Sequence, residues 1–200
     1  MATKSLKNIF LSASIPFKDK ERHEKYFDTA DTIAIRDSVI ALASVVLPTH
    51  KLIWGGHPSI TPIIYYVIER LKLEIKDHVL LYQSRFFEHT FPVDNNKFDN
   101  VVLTDNLGKK EESIHLMREQ MFKDNEFAAA VFIGGMEGIE EEFEMFKQFH
   151  PKAILLPIAS TGAAAKIVYE EMLTEEFKNE RLEKDYGYMS LFQNLLVEKL

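Results

Sequence analysis

The chain has no cysteine and no long apolar run. The lack of cysteine excludes disulfide bonds, thiolate metal ligands and a cysteine nucleophile. No stretch approaches the roughly 18 apolar residues of a membrane-spanning helix, so no membrane partner is expected. Lysine and arginine form no dense run, and the formal net charge is −7. Because binding to a nucleic-acid backbone needs a concentrated basic face, nucleic acid is not an expected partner either.

Signals for targeting and for metal chemistry are also scarce. The basic residues near the start lead into an apolar stretch that is too short for a signal peptide, which predicts a cytoplasmic protein. The seven histidines are scattered without HExxH spacing, and no GxSxG sequence occurs. The sequence therefore predicts no metal site, no cofactor and no serine hydrolase.

What is present is an alternation of strand-like and helix-like segments. The apolar content of 46% suffices for a buried core. One domain is predicted over residues 1–173, and residues 174–200 are predicted as a helical extension that packs on the domain or at an oligomer interface.

Six near-continuous apolar runs are predicted as strands, at residues 8–14, 51–54, 78–83, 100–105, 128–133 and 152–158. A loop is predicted over 15–29, and helices over 31–47, 60–73, 109–123, 137–149 and 163–173. Strands that are apolar on both faces are typical of parallel sheets covered on both sides. The sequence therefore predicts an α/β, Rossmann-like fold with a mostly parallel central sheet flanked by helices on both faces.

Three predicted strands run into loops rich in glycine and small hydroxyl residues. These loops are "WGGHPSIT" at 54–61, "IGGMEGIEEE" at 133–142 and "IASTGAAA" at 158–165. In parallel sheets the ligand binds beyond the carboxyl ends of the strands, where helix N-termini favour anions. We expect the three loops on one edge, joined by Ser12 and Ser14. The alternative is that the glycines only make tight turns. No loop is a GxGxxG or Walker sequence.

The glutamates that follow Gly135 would repel a phosphate if all of them faced it. They are Glu137, Glu140, Glu141, Glu142 and Glu144. On a helix only residues three or four apart share a face, so most of these side chains are expected in solvent. One inward carboxylate would accept hydrogen bonds from ribose hydroxyls and could stabilise a ribosyl cation. Phosphates would then bind the neutral loops around Gly56 and Gly162.

Three cationic or titratable residues are further candidates. Arg36 shares helical spacing with Val39 and Ala43, so it either snorkels or reaches over the sheet edge to an anion. Arg118 is either an exposed helix arginine or a ligand contact. His57 lies inside a glycine loop, where it can touch a ligand.

Two of the loops and one helix resemble a known family. "FIGGMEGIEEE" resembles the PGGxGTxxE motif of LOG-type phosphoribohydrolases, and "IWGGHPSITPIIYYVIE" resembles their earlier glycine motif. The family carries an arginine 16 residues before the first glycine of its PGG, and Arg118 stands 16 residues before Gly134. The chain looks like a member of the wider SLOG superfamily, which includes nucleotide-sensing domains of bacterial antiviral systems.

The resemblance implies a catalytic set of Arg118 with Glu141 or Glu142. One extra residue lies between the glycine pair and Gly138, so the motif's acid falls on either glutamate. The strand-end loops and the resemblance together predict ligand contacts from these residues: Ser12, Ser14, Arg36, Gly55, Gly56, His57, Ser59, Gly134, Gly135, Met136, Glu137, Gly138, Ser160, Thr161 and Gly162. Arg118 and Arg36 would hold phosphate.

The leading hypothesis is a sensor domain that binds an NAD-derived or ADP-ribose-type nucleotide in antiviral defence. The first alternative is an enzyme that cleaves a nucleotide N-glycosidic bond, and the second is a scaffold with a vestigial pocket. A homodimer or higher homo-oligomer is expected, and an effector domain on another chain or on a missing part of this one would complete the sensor.

Overall fold

The structure, a computed structural model, describes residues 6–18, 24–72 and 78–200. Six strands form one sheet, in the order β4-β3-β2-β1-β5-β6, and all five pairings are parallel. The strands are β1 Asn8–Ser14, β2 Lys51–Gly55, β3 Val79–Ser84, β4 Val101–Thr104, β5 Phe127–Gly134 and β6 Ile154–Ile158. The predicted Rossmann-like α/β fold is confirmed, and the sheet is entirely rather than mostly parallel.

Helices cover both faces of the sheet. They are α1 Thr32–Val46, α2 Thr61–Leu71, α3 Lys110–Asp124, α4 Glu137–Phe149, α5 Ala163–Ile167, α6 Glu180–Lys184 and α7 Tyr188–Leu195. The first of them packs against α2 and α7, while α3 packs against α4 and α4 against α5. Short 3₁₀ turns occupy Glu24–Tyr26, Arg85–Thr90, Val93–Lys97, Ala159–Thr161, Glu175–Phe177 and Val197–Lys199.

Local sequence signals set most of the element boundaries. The Asp31 side chain accepts a hydrogen bond of 2.9 Å from the Ala34 N–H, which caps α1 where the sequence predicts its start. The α4 helix spans the predicted residues 137–149. The helix predicted over residues 163–173 is α-helical only in its first part, α5, and continues as a π-helix over Val168–Met172. The predicted end of the second helix at Leu73, and part of the loop over 15–29, lie outside the described residues.

The core is built around the two central strands. The Phe10 ring in β1 packs edge-on against Phe122 of α3, with ring centres 5.0 Å apart, and stacks on Phe146 of α4 at 5.4 Å. On α1 the buried stripe is Ile35, Val39, Leu42 and Val46. Because both faces of β1 are covered, its side chains are apolar along most of its length, as the sequence pattern indicates.

The C-terminal residues pack on the sheet domain. The α7 helix lies against α1, and Leu191, Phe192 and Leu196 are fully buried. The amphipathic face of this segment is therefore covered by the chain's own core. Among the described residues, none of the helices is both long enough and apolar enough to cross a membrane.

The Phe10→Ala variant tests the aromatic core. We expect a loss of about 3–5 kcal/mol in the free energy of unfolding, because the change removes a fully buried ring and leaves a cavity between α3 and α4. Urea denaturation measures this loss. Val93→Ala is the control, since Val93 is 80% exposed. Its change should stay within about 0.5 kcal/mol. A similarly small change in unfolding free energy for Phe10→Ala would contradict the packing of the Phe10 ring between α3 and α4.

Candidate functional site

A cavity of about 380 Å³ lies at the carboxyl ends of the central strands. Its walls come from the ends of β1, β2 and β3, the first turn of α4 and one side of α3. The order of the strands reverses between β1 and β5, and this switch point is where open parallel sheets bind their ligands. The volume falls in the range of small-molecule sites. We call it the strand-end cavity.

Arg118 forms a buried ion-pair cluster in the wall of the strand-end cavity. Its Nε donates to Glu142 Oε1 at 3.0 Å, and its Nη1 donates to Glu141 Oε2 at 2.5 Å. Its Nη2 donates to the Gly138 carbonyl oxygen at 3.2 Å. The Ser12 hydroxyl donates to the second oxygen of Glu142. The cluster thus joins β1, α3 and the first turns of α4.

Charge and burial oppose each other at Arg118. Burial disfavours the charged guanidinium, but the charge of Glu142 and the hydrogen bonds that Arg118 donates to both glutamates outweigh it, so the pKa of Arg118 is raised. The Arg118 side chain is only 10% exposed, against 16% for Glu142 and 63% for Glu141. Glu142 lines the strand-end cavity and Glu141 does not. Of the two candidate acids, Glu142 is therefore the inward carboxylate.

The glycine pair after β5 shapes the turn and does not line the cavity. Gly134 and Gly135 have φ values of +58° and +77°, which residues with a Cβ rarely adopt. A Cβ on Gly135 would lie 2.1 Å from the Ile139 side chain. The Gly135 N–H donates to the Ser14 carbonyl at 2.8 Å, which ties the turn to β1. Met136, Glu137 and Gly138, the next three residues, do line the cavity.

The loop after β2 forms a second wall. Gly55, Gly56 and His57 line the cavity, as do Ser12 and Ser14 across from them. Ser59 supports this loop from behind, because its hydroxyl lies 2.8 Å from His57 Nδ1 and accepts a hydrogen bond of 3.2 Å from the Ile15 N–H.

The loop after β6 lies on the predicted edge of the sheet but outside the cavity. The Thr161 hydroxyl accepts from the Gly134 N–H at 2.9 Å and donates to the Ile158 carbonyl at 2.6 Å, so it braces two strand ends. The Ser160 hydroxyl lies 3.2 Å from the Tyr188 hydroxyl, whose pKa burial raises to about 12. A Cβ on Gly162 would lie 1.7 Å from the Thr29 carbonyl oxygen. These residues are occupied by structural contacts.

Arg36 also lies away from the cavity, contrary to its expected place on the apolar stripe. Its side chain is 63% exposed, and Nη1 lies 3.9 Å from Asp37. The buried stripe of α1 starts at Ile35, one residue earlier, so the helix turns Arg36 toward solvent.

Several cavity residues were not candidates from the sequence. Phe17, Phe87 and Phe91 form an aromatic rim, and Gln83 lies at the end of β3. Lys110 from the first turn of α3 also lines the cavity. Lys110 makes no ion pair within the part of the chain that the structure describes. The sequence held one signal for these missed residues, a polar residue near the end of a buried strand, and that residue is Gln83.

A more open cavity of about 720 Å³ lies beside the first, between α3 and the start of α4. The two cavities meet at Arg118, Gly138 and Glu137. Glu141 lines this open side, so the two carboxylates bound to Arg118 face different spaces.

Fold and site together define a Rossmann-like protein with a cavity at the strand-order switch point and a buried arginine–glutamate pair in its wall. The chain belongs to the SLOG cluster3 family, whose model matches residues 25–196. The match continues past residue 173 into the C-terminal helices. No protein of curated function matches the chain.

One solved structure with the same fold is the X-ray structure of TM1055, a structural genomics target. The TM-score is 0.59 at 11% sequence identity, with 98% of this chain and 100% of that chain covered. At this identity the likeness shows the shared fold alone.

The Arg118→Ala variant tests the buried cluster. We expect a loss of about 3 kcal/mol in unfolding free energy, because the change leaves the Glu142 carboxylate buried without its partner. Chemical denaturation measures it. Lys123→Ala breaks the exposed pair with Glu119 and should change nothing measurable. Equal effects of the two variants would contradict the role of burial.

Proposed function

We propose that the chain is a nucleotide-binding sensor that takes an NAD-derived or ADP-ribose-type ligand in the strand-end cavity. The observation that carries the proposal is the Glu142 carboxylate, which Arg118 and Ser12 hold in the wall of a cavity that three aromatic residues also line. A role in antiviral signalling follows from the resemblance to sensing domains of the SLOG superfamily and is part of the proposal.

The ribose binds at Glu142. Ribose hydroxyls are hydrogen-bond donors, and a carboxylate has about four acceptor positions. Arg118 and Ser12 each use one of them, which leaves positions for the two hydroxyls of a ribose. The same two contacts fix the orientation of the carboxylate before the ligand arrives, which lowers the entropic cost of binding.

The base binds at the aromatic rim. Phe17, Phe87 and Phe91 line the cavity, and Phe17 is 54% exposed. Aromatic side chains stack on nucleobases, and each stacked base contributes about 1–3 kcal/mol in single-stranded complexes. The rim therefore supplies affinity for a flat heterocycle.

The phosphate binds at Lys110, which replaces the expectation that Arg36 and Arg118 hold it. Arg36 lies outside the cavity, and Arg118 already faces two carboxylates. A third anion at Arg118 would meet a cluster of net charge −1. Lys110 lines the cavity, and no ion pair compensates its charge among the described residues.

A second function, cleavage of the N-glycosidic bond, is favoured by the same pair. A carboxylate held beside the ribose would stabilise the positive charge that develops as the bond to the base breaks. The resemblance to phosphoribohydrolases implies Arg118 with Glu141 or Glu142 for such a reaction, and Glu142 is the one of the two that lines the cavity. Release of the free base from a bound nucleotide would indicate the enzyme, and binding without release would indicate the sensor.

The Glu142→Gln variant tests the proposal. The amide keeps the shape but removes the charge, so a sensor should lose about 1.5–3 kcal/mol of affinity for ADP-ribose. Isothermal titration measures the affinity, and chromatography of the same mixture detects any released base. An enzyme would instead lose most of its turnover while keeping much of its affinity.

Glu144→Gln is the matched control, because Glu144 lies on the same helix, 51% exposed and paired with Lys147. It should bind as the unchanged protein does. If the unchanged protein binds and cleaves none of ADP-ribose, NAD, AMP or NMN, the chain is a scaffold with a vestigial pocket and the proposal fails.

Lys110→Gln tests the phosphate end. We expect affinity for AMP to fall about twofold to fivefold and affinity for adenosine to stay the same, because the lost contact is with a phosphate at a partly exposed site. The difference should shrink as salt is added. Lys109→Gln is the control, since Lys109 pairs with Glu112 at 2.6 Å and does not line the cavity. Equal losses of affinity for AMP and adenosine would contradict a phosphate contact at Lys110.

Assembly into a homodimer or higher oligomer, and coupling to an effector on another chain or a missing part of this one, stay predictions. The apolar face of α7 that suggested an interface is already packed on α1.

A further inference from the structure

We propose that Gln83 is the residue of the strand-end cavity that recognises the base of the nucleotide. The inference rests on the proposed function and adds to it the residue that selects the heterocycle. It starts from an observation on Gln83 itself, whose side-chain Nε2 is fully enclosed and has no hydrogen-bond partner among the described residues.

An unpaired amide in this position is costly. Gln83 is only 4% exposed, and it lies at the end of β3 among cavity-lining residues. Burying an amide without a hydrogen bond disfavours folding, so native proteins rarely keep one unless it acts on a ligand or a bound water. An apolar residue of the same length would pack here without that cost. The amide is therefore better explained by what it binds than by the stability of the fold.

The loop after β2 is built around this amide. A Cβ on Gly56 would lie 1.7 Å from Gln83 Nε2, so the glycine lets the side chain lie directly against the loop. The Gly56 N–H donates to the Tyr82 carbonyl at 2.9 Å, which fixes the loop against β3. Both residues line the cavity, and a turn of the Gln83 side chain away from Gly56 brings the enclosed amide to a ligand.

The position of Gln83 matches the base end of the ligand. Glu142 reaches the cavity beside β1, since it accepts from Ser12. Gln83 belongs to β3, two strands away across β2, which is roughly 10 Å at the usual strand spacing. The aromatic residue Phe87 follows shortly after Gln83, in the 3₁₀ turn Arg85–Thr90, and lines the same cavity. A ribose at Glu142 therefore directs its base toward Gln83 and the rim.

The chemistry of the side chain suits a nucleobase edge. A carboxamide carries a donor and an acceptor side by side, and nucleobases present the complementary pair, as adenine does with its amino group and a ring nitrogen. A fully ionised phosphate only accepts hydrogen bonds, so it would use the donor of the carboxamide and leave the acceptor unused. Gln83 therefore selects a base and has no preference for the sugar-phosphate part.

Gln83→Met is the test, because methionine has similar length and no amide. We expect affinity for AMP to fall about threefold to tenfold, the range for a lost neutral hydrogen bond. Affinity for ribose 5-phosphate, which has no base, should not change. The melting temperature without ligand should stay the same or rise, because an unpaired buried amide is removed. A residue with only a structural role would give the opposite change in melting temperature.

Gln148→Met is the matched control, since Gln148 is exposed on α4 and away from the cavity. It should leave all three quantities unchanged. Unchanged AMP affinity in Gln83→Met overturns the inference alone, and so does an equal loss for ribose 5-phosphate. A clearly lowered melting temperature overturns it too, since the amide would then have a structural partner. If the unchanged protein binds neither ligand, the proposed function fails and the inference with it.

Discussion

The structure depends on one constraint, the burial of the Arg118 charge at the carboxyl edge of the sheet. A guanidinium that is 10% exposed cannot lose its proton, so its surroundings must compensate the charge. Glu142, Glu141 and the Gly138 carbonyl do so from the first turns of α4. These contacts fix α3 to α4, and the Ser12–Glu142 hydrogen bond fixes both to β1. The site and the packing of the helices are thus one arrangement.

Compensation of Arg118 also decides what the cavity can bind. An arginine that already faces two carboxylates is a poor anion site, although its sequence position suggested one. Its effect on a ligand passes through Glu142, which it holds in place and keeps from turning to solvent. The cavity therefore has an acidic wall at β1, a lysine of α3 that makes no ion pair among the described residues, and aromatic residues that follow β1 and β3. Such an arrangement fits a ligand with a sugar, an anion and a flat ring.

The sequence predicted the frame of the fold well because its signals are local. Apolar runs mark the six strands, Asp31 caps α1, and the Gly134–Gly135 pair marks a turn with positive φ. A motif spacing also singled out Arg118, which lines the cavity. The position of Arg36 was predicted wrongly because residues 35 and 36 both stand at helical spacing from Val39, four and three residues before it. Only the tertiary fold decides which of the two is buried. Tertiary information was also needed to decide that Glu142, and not Glu141, lines the strand-end cavity.

The remaining differences come from contacts between residues distant in sequence. Ser160 and Gly162 look like a ligand loop, but residues 185–188 and 29 close over them. Conversely, Gly56 looks like an ordinary turn glycine until Gln83, 27 positions later, is found against it. Glycine and small hydroxyl residues at a strand end are required wherever two chain segments approach closely, whether the second is a ligand or the protein itself. A strand-end loop retains the capacity to bind a ligand only where it lines a cavity, as the loop after β2 lines the strand-end cavity and the loop after β6 does not.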